Sequence, residues 1–221
     1  MTMNTEDLIA SLAAGSGTPT QRLGPPSARL AVWIAVSLPW IALVVALMGL
    51  RPDLAEKLKD YSWISEQGAA LVVALTAAMA AFCATVPGRP VWERAVPVVP
   101  LLVWLGTLGV GCMEEFLAAG PQGLEFQTDW ACLPGIVMVA AVPGVAMALM
   151  VRRGAPTAPV LSVGLGGLAA AALADFGLRL FHATDASLMV IVWQVGTVAL
   201  LTMLSAVLGR RLLRWRHRLQ P

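Results

Sequence analysis

Long apolar stretches separated by short polar segments dominate the chain after its first 29 residues. A helix needs roughly 20 residues to cross about 30 Å of hydrocarbon, and these stretches approach or reach that length. None of them alternates apolar and polar residues with the two-residue period of a membrane β-barrel strand. The pattern therefore predicts an all-α, polytopic integral membrane protein with six transmembrane helices, at residues 30–50, 68–86, 95–111, 132–151, 158–181 and 186–208.

The segment 1–29, which we call the N-terminal head, carries one short amphipathic pattern. Asn4 or Thr5 can cap a helix there. Two acidic residues then oppose the positive end of the helix dipole, and three aliphatic residues form a narrow stripe. These five residues are Glu6, Asp7, Leu8, Ile9 and Leu12. A helix of about ten residues is marginal in water, so we expect this one to fold against the membrane, the rest of the chain or another protein.

The charged residues predict the orientation of the spans. Only 13% of the 221 residues are charged and 58% are hydrophobic, whereas about a quarter of the residues are charged in a soluble domain. Eleven of the 15 Lys and Arg residues fall in segments that share a side with the N-terminus, which predicts that both termini are cytoplasmic. The six-helix domain then covers residues 30–208. The basic cytoplasmic tail, residues 209–221, is expected to bind membrane lipid rather than nucleic acid.

The sequence lacks the residue patterns of a catalytic site. It contains neither HExxH nor GxSxG, and its only histidines are His182 and His217. We therefore predict that the protein is not an enzyme and takes no cofactor. In the fifth span, Arg179 follows Asp175 by one helical turn. The two belong either to an ion or proton relay or to a local ion pair near the outer end of the helix, and the local pair is the favoured interpretation.

Three residues at the outer ends of the predicted spans are candidates for signal sensing. Cys112 ends the third span, Cys132 begins the fourth and His182 ends the fifth. In the predicted orientation both thiols face an oxidising compartment, so a disulfide is open to them. A metal site with His182 and the acidic residues between the cysteines is open as well. Alternatively, the two cysteines are small residues packed at helix ends.

Five short motifs occur in order along nearly the whole chain. They are Thr5-Glu-Asp-Leu-Ile-Ala-Ser-Leu12, Arg51-Pro-Asp-Leu54, Cys132-Leu-Pro134, Arg152-Arg-Gly-Ala-Pro-Thr-Ala-Pro159 and Leu208-Gly-Arg-Arg-Leu-Leu-Arg-Trp215. With the span count, they resemble the NrsF-type (DUF1109) membrane anti-sigma factors of bacteria. The resemblance implies a multi-pass protein of the inner membrane that sequesters an extracytoplasmic-function (ECF) sigma factor through its cytoplasmic N-terminal segment. It also implies release of the sigma factor under envelope, redox or metal stress.

One position departs from that family pattern. Members of the family often carry an outer cysteine directly after the His that precedes the sixth span, whereas Ala183 follows His182 here. Either Cys112 replaces that cysteine as the partner of Cys132, or thiol sensing is absent.

The alternative function is a small secondary transporter or exporter of an ion or small molecule. That function predicts an inverted repeat and polar groups at mid-bilayer, and the sequence shows neither.

Overall fold

The computed structural model describes residues 4–15, 23–120, 132–154 and 158–182, together with the helical residues 196, 199–200, 202–204 and 207. Within these ranges the chain is helical and contains no strand. Five described segments are long and apolar enough to cross a membrane: Pro26–Met48, Tyr61–Ala84, Val91–Glu114, Pro134–Arg152 and Pro159–Leu178. They correspond to the first five predicted spans. Most of the predicted sixth span, 186–208, lies outside the described residues.

Seven α-helices and one 3₁₀ turn make up the described ranges. In chain order they are α1 (Thr5–Gly15), α2 (Pro26–Met48), α3 (Leu54–Lys57), α4 (Tyr61–Ala84), the 3₁₀ turn Val91–Arg94, α5 (Val98–Ala119), α6 (Cys132–Arg152) and α7 (Pro159–Leu178). Proline stands in the first turn of α2 and of α7, where its missing N–H has no intrahelical partner to lose. Gly49 ends α2 with a φ of 82°, a conformation that residues with a Cβ rarely adopt.

The start of α4 corrects the sequence prediction. The second span was expected at 68–86, after a polar loop, but α4 begins at Tyr61. Asp60 caps it by accepting a hydrogen bond from the backbone N–H of Ser62 at 3.0 Å. Two polar side chains of its second turn, Glu66 and Gln67, are buried inside the protein. Hydropathy cannot detect this extension because it scores the residue type and not what the side chain packs against.

The two central helices, α4 and α7, form the most extensive helix–helix contact, and α6 packs on the other side of α7. The many glycine and alanine residues of the stretch 164–174 in α7 allow this close approach. A Cβ on Gly166 would lie 2.8 Å from Met147 Cγ of α6. A Cβ on Gly177 would lie 2.9 Å from Val139 Cγ1 and 3.0 Å from Ile41 Cγ2. The small-residue face of α7 is therefore used for packing within the chain.

The outer helices attach to this centre in different ways. Helix α2 packs on α6, where the indole N–H of Trp33 donates to the carbonyl of Pro143 at 2.9 Å and that of Trp40 to Met138 at 3.2 Å. Helix α5 packs on α4 and leaves apolar side chains such as Leu102 and Val103 exposed. An exposed apolar face on a helix of this length suits a hydrocarbon environment.

Candidate functional site

The head contains the predicted helix, since α1 runs from Thr5 to Gly15 with Glu6 and Asp7 in its first turn. The side chains of these two acidic residues are exposed, and Ile9 is 57% exposed. The side chains of Leu8 and Leu12 lie outside the described part of the chain. A helix with exposed acidic and aliphatic groups presents a surface that another helical protein can bind.

The candidate sensing residues lie on three different helices or at their ends. Cys112 is half-buried in α5 and Cys132 is the first residue of α6, its side chain being outside the described part. His182 follows α7, where its backbone N–H donates to the carbonyl of Leu178 at 2.9 Å. Among the side chains that the structure describes, no group of three His, Cys, Asp or Glu residues is arranged to hold a metal ion.

The connection between α2 and α4 is attached to the end of α7 through Arg51. The backbone N–H of Arg51 donates to the carbonyl of Leu180 at 3.1 Å, and its guanidinium donates to the carbonyl of His182 at 3.5 Å. The guanidinium also binds both carboxylate oxygens of Asp53, each at 2.7 Å. This bidentate hydrogen bonding lowers the pKa of Asp53 from 3.8 to about 2. Arg51 therefore fixes the chain where it leaves α7.

A second charged cluster is buried where α4 begins and α7 ends. The Arg179 guanidinium lies 2.7 Å from a carboxylate oxygen of Glu66, and both side chains are buried. Asp175, one turn before Arg179, is fully buried, and neither of its carboxylate oxygens accepts a hydrogen bond from the described residues. Arg179 therefore pairs with Glu66 on another helix, and Asp175 lies one turn before it on the same helix. The sequence interpretation missed Glu66 because it assigned that residue to a loop.

The opposite end of the bundle is organised by Arg29, near the start of α2. Its guanidinium donates to Thr85 Oγ1 at 2.7 Å and to the carbonyl of Met150 at 2.6 Å, and it lies 4.5 Å from the centre of the Phe82 ring. One side chain therefore joins α2 to the ends of α4 and α6. Position alone suggested only a flanking charge, so the sequence did not reveal this role.

The connection between α4 and α5 carries another ion pair, since Arg89 binds Glu93 through Nε at 2.5 Å and through Nη2 at 2.9 Å. These residues line a cavity of about 380 Å³ together with Cys83 and Trp92. Cys83 is buried at this end of α4. Trp92 is 67% exposed, so the connection presents an aromatic surface.

Comparison with known proteins gives one family match. The family model NrsF, described as negative regulator of sigma F, matches residues 12–215. No curated protein and no solved structure matches the chain. The matched range contains all the described membrane helices, whereas most of α1 precedes it.

Proposed function

Because the chain belongs to the NrsF family of negative regulators of sigma F, we propose that it is a membrane anti-sigma factor that sequesters an ECF-type sigma factor at the bacterial inner membrane. The family is regulatory and its name implies a sigma factor as partner. The five apolar helices agree with a membrane location. The ECF class of the partner and the inner membrane are parts of our proposal.

In this proposal the chain spans the membrane six times, with the head and the basic tail in the cytoplasm. The distribution of Lys and Arg supports this orientation. The arrangement of the helices is compatible with it, because Arg29, Thr85 and Met150 meet at one end while Arg51, Glu66 and Arg179 lie at the other. The first end is then cytoplasmic and close to the head.

The observation that carries the proposal is the exposed helix α1. Glu6 and Asp7 are exposed, and Ile9 extends an aliphatic side chain into the surroundings. A sigma factor is a helical protein with apolar grooves and with basic surfaces for nucleic acid. A helix bearing Leu8, Ile9 and Leu12 beside two carboxylates suits binding in such a groove, with complementary charge improving the rate of encounter.

Release requires an event outside the membrane that changes the packing of the helices. We propose that Cys112, Cys132 and His182 contribute to sensing an envelope, redox or metal signal at the outer ends of the spans. Weakening the affinity for the sigma factor by about a hundredfold, roughly 3 kcal/mol, would release most of it. Within the described residues α5 packs on α4 and α4 packs on α7, so a displacement at Cys112 can reach His182 through α4.

Co-purification from solubilised membranes tests the holding function. We compare the full chain with a chain lacking residues 1–23, which keeps every membrane helix. The full chain is expected to retain a sigma factor and the shortened chain to lose it. If neither retains a partner, the anti-sigma proposal is wrong and transport becomes the function to test.

A pair of double variants tests which face of α1 makes the contact. Leu8→Asp with Ile9→Asp places two charges on the aliphatic stripe, and it is expected to free the sigma factor and raise its target transcripts. Ala10→Asp with Ala14→Asp adds the same charge to the opposite face of the helix and serves as the control. Equal transcription in both variants, at normal protein levels, would contradict helix-in-groove binding.

A further inference from the structure

A groove opens between the start of α2 and the end of α6. It encloses about 730 Å³ and is lined by Leu23, Val32 and Met150 and by two arginines, Arg29 and Arg153. Both helices that form its walls are long and apolar enough to span a membrane. The groove therefore lies where a polar head of a membrane molecule and its apolar part can be bound together.

The buried wall of the groove carries an uncompensated positive charge. Arg29 is only 7% exposed, and its partners are the Thr85 hydroxyl, the carbonyls of Met150 and Phe82, and the Phe82 ring. All of these are neutral groups, and no carboxylate of the described residues pairs with Arg29. A buried charge is costly unless it is paired. The groove therefore favours an anion beside Arg29.

The open side of the groove carries a second cation. Arg153 follows the end of α6, is exposed, and forms no ion pair within the described part of the chain. Arg152 precedes it and is also exposed, but it does not line the groove. Two guanidinium groups on one groove suit a phosphate, whose oxygens accept several charged hydrogen bonds at once.

An apolar strip continues from the groove along α2. Val32 and Val36 are separated by four residues, so they lie on one face of the helix, and they are 55% and 44% exposed. This strip extends away from the arginines in the direction of the membrane span. An acyl chain attached to a bound phosphate group can cover the strip.

We propose that this groove is a binding site for an anionic phospholipid, with the phosphate held between Arg29 and Arg153 and one acyl chain on Val32 and Val36. The site is independent of the proposed sigma-factor contact. The acidic residues of α1 are the alternative anionic occupant, but the exposed strip on α2 favours an acyl chain. The combination of a cationic groove and a lipid-facing strip favours the phospholipid.

Quantifying lipid that remains bound to the purified full chain tests the proposal. The protein is reconstituted with equal amounts of phosphatidylglycerol and phosphatidylcholine, extracted into detergent and examined by native mass spectrometry. We expect the wild type to retain phosphatidylglycerol preferentially. Arg153→Gln removes one of the two guanidinium groups that form charged hydrogen bonds to the phosphate, and it should reduce this retention about tenfold.

Two further variants separate a specific site from general surface charge. Arg152→Gln removes the same charge from the neighbouring position outside the groove, and retention should stay at the wild-type level. Val32→Trp places a large side chain on the part of the strip that lines the groove. It changes no charge, and it should also reduce lipid retention. Equal effects of Arg152→Gln and Arg153→Gln, or no effect of Arg153→Gln, would overturn the proposal.

Two additional measurements identify the occupant. Inorganic phosphate at millimolar concentration should leave phosphatidylglycerol bound, because phosphate alone does not cover the strip on α2. Displacement of phosphatidylglycerol by phosphate would show that the groove binds small anions, and it would contradict the proposed phospholipid site. Deletion of residues 1–22 keeps every residue that lines the groove and should leave lipid retention unchanged. A large increase in retention would show that the deleted segment, and not a lipid, occupies the groove.

Discussion

At the scale of single residues, buried charges are stabilised in two different ways. Arg179 has a carboxylate partner, Glu66, whereas Arg29 is surrounded by neutral acceptors and an aromatic ring. Neither carboxylate oxygen of Asp175 accepts a hydrogen bond from the described residues. Removing these side chains should change the free energy of unfolding by different amounts. Breaking a buried pair leaves an unpaired charge behind, whereas removing an unpartnered group does not.

We expect opposite outcomes for two substitutions in the cluster at the end of α7. Arg179→Met removes the cation that pairs with the buried Glu66 and lies one turn from the buried Asp175, and it should destabilise the protein by about 3–5 kcal/mol. Asp175→Asn removes a buried carboxyl that accepts no hydrogen bond from the described residues, and it should be neutral or stabilising. Thermal unfolding of both variants in the same detergent measures the difference. A larger loss for Asp175→Asn would indicate that Asp175 has a role beyond this cluster.

The pair of Arg51 and Asp53 predicts a dependence of stability on acid pH. The folded pKa of Asp53, about 2, is lower than its usual value of 3.8. A lowered pKa stabilises the folded state above the unfolded pKa, and this contribution disappears as the pH falls from about 4 through 2. Unfolding temperatures measured from pH 6 down to pH 2 should therefore fall less steeply for Asp53→Asn than for the wild type. Parallel curves for the two proteins would contradict the assignment.

At the scale of helices, the sequence predicted the bounds of a helix well where apolar residues are also the buried ones. Helices α6 and α7 begin and end close to the predicted 132–151 and 158–181, since their sequences are apolar on all sides. The sequence did not predict the start of α4, where the polar side chains of Glu66 and Gln67 are buried. It also could not reveal Arg29 or Glu66 as contacts between helices, because the partners of each lie far along the chain.

Two glycines test the importance of close packing between helices. A Cβ on Gly177 of α7 would contact Val139 and Ile41, whereas nothing lies within 4 Å of a Cβ on Gly106 of α5. We expect Gly177→Ala to destabilise the protein by about 1–3 kcal/mol through overpacking. Gly106→Ala should stabilise it by up to about 1 kcal/mol through the higher helix propensity of alanine. Equal unfolding temperatures for the two variants would show that α7 can shift to accommodate the methyl group.

At the scale of the whole molecule, helix α1 forms a part separate from the membrane helices. The described acidic side chains of α1 and Ile9 are exposed, whereas the buried side chains come from α2, α4, α5, α6, α7 and the residues next to them. This division suits a protein that holds its partner with one part and receives a signal with another. The sensing role of Cys112, Cys132 and His182 stays a prediction, because the side chain of Cys132 lies outside the described part of the chain.

The separation predicts that the head contributes little to the stability of the membrane part. Deleting residues 1–23 should leave the midpoint of thermal unfolding unchanged in the absence of a sigma factor. Adding the sigma factor should raise the midpoint of the full chain alone, because a ligand stabilises only the state that binds it. A marked fall in the midpoint of the shortened chain would show that α1 packs on the helices.

The contacts of Arg29 also have a consequence for biosynthesis. Its partners Thr85 and Met150 lie 56 and 121 residues further along the chain, so they leave the ribosome long after Arg29 has done so. Until α6 is inserted, the guanidinium has to remain hydrated among the lipid headgroups. Helix α2 therefore enters the bilayer early but reaches its final depth late, and nascent chains that stop before Met150 should be substrates for membrane quality-control proteases.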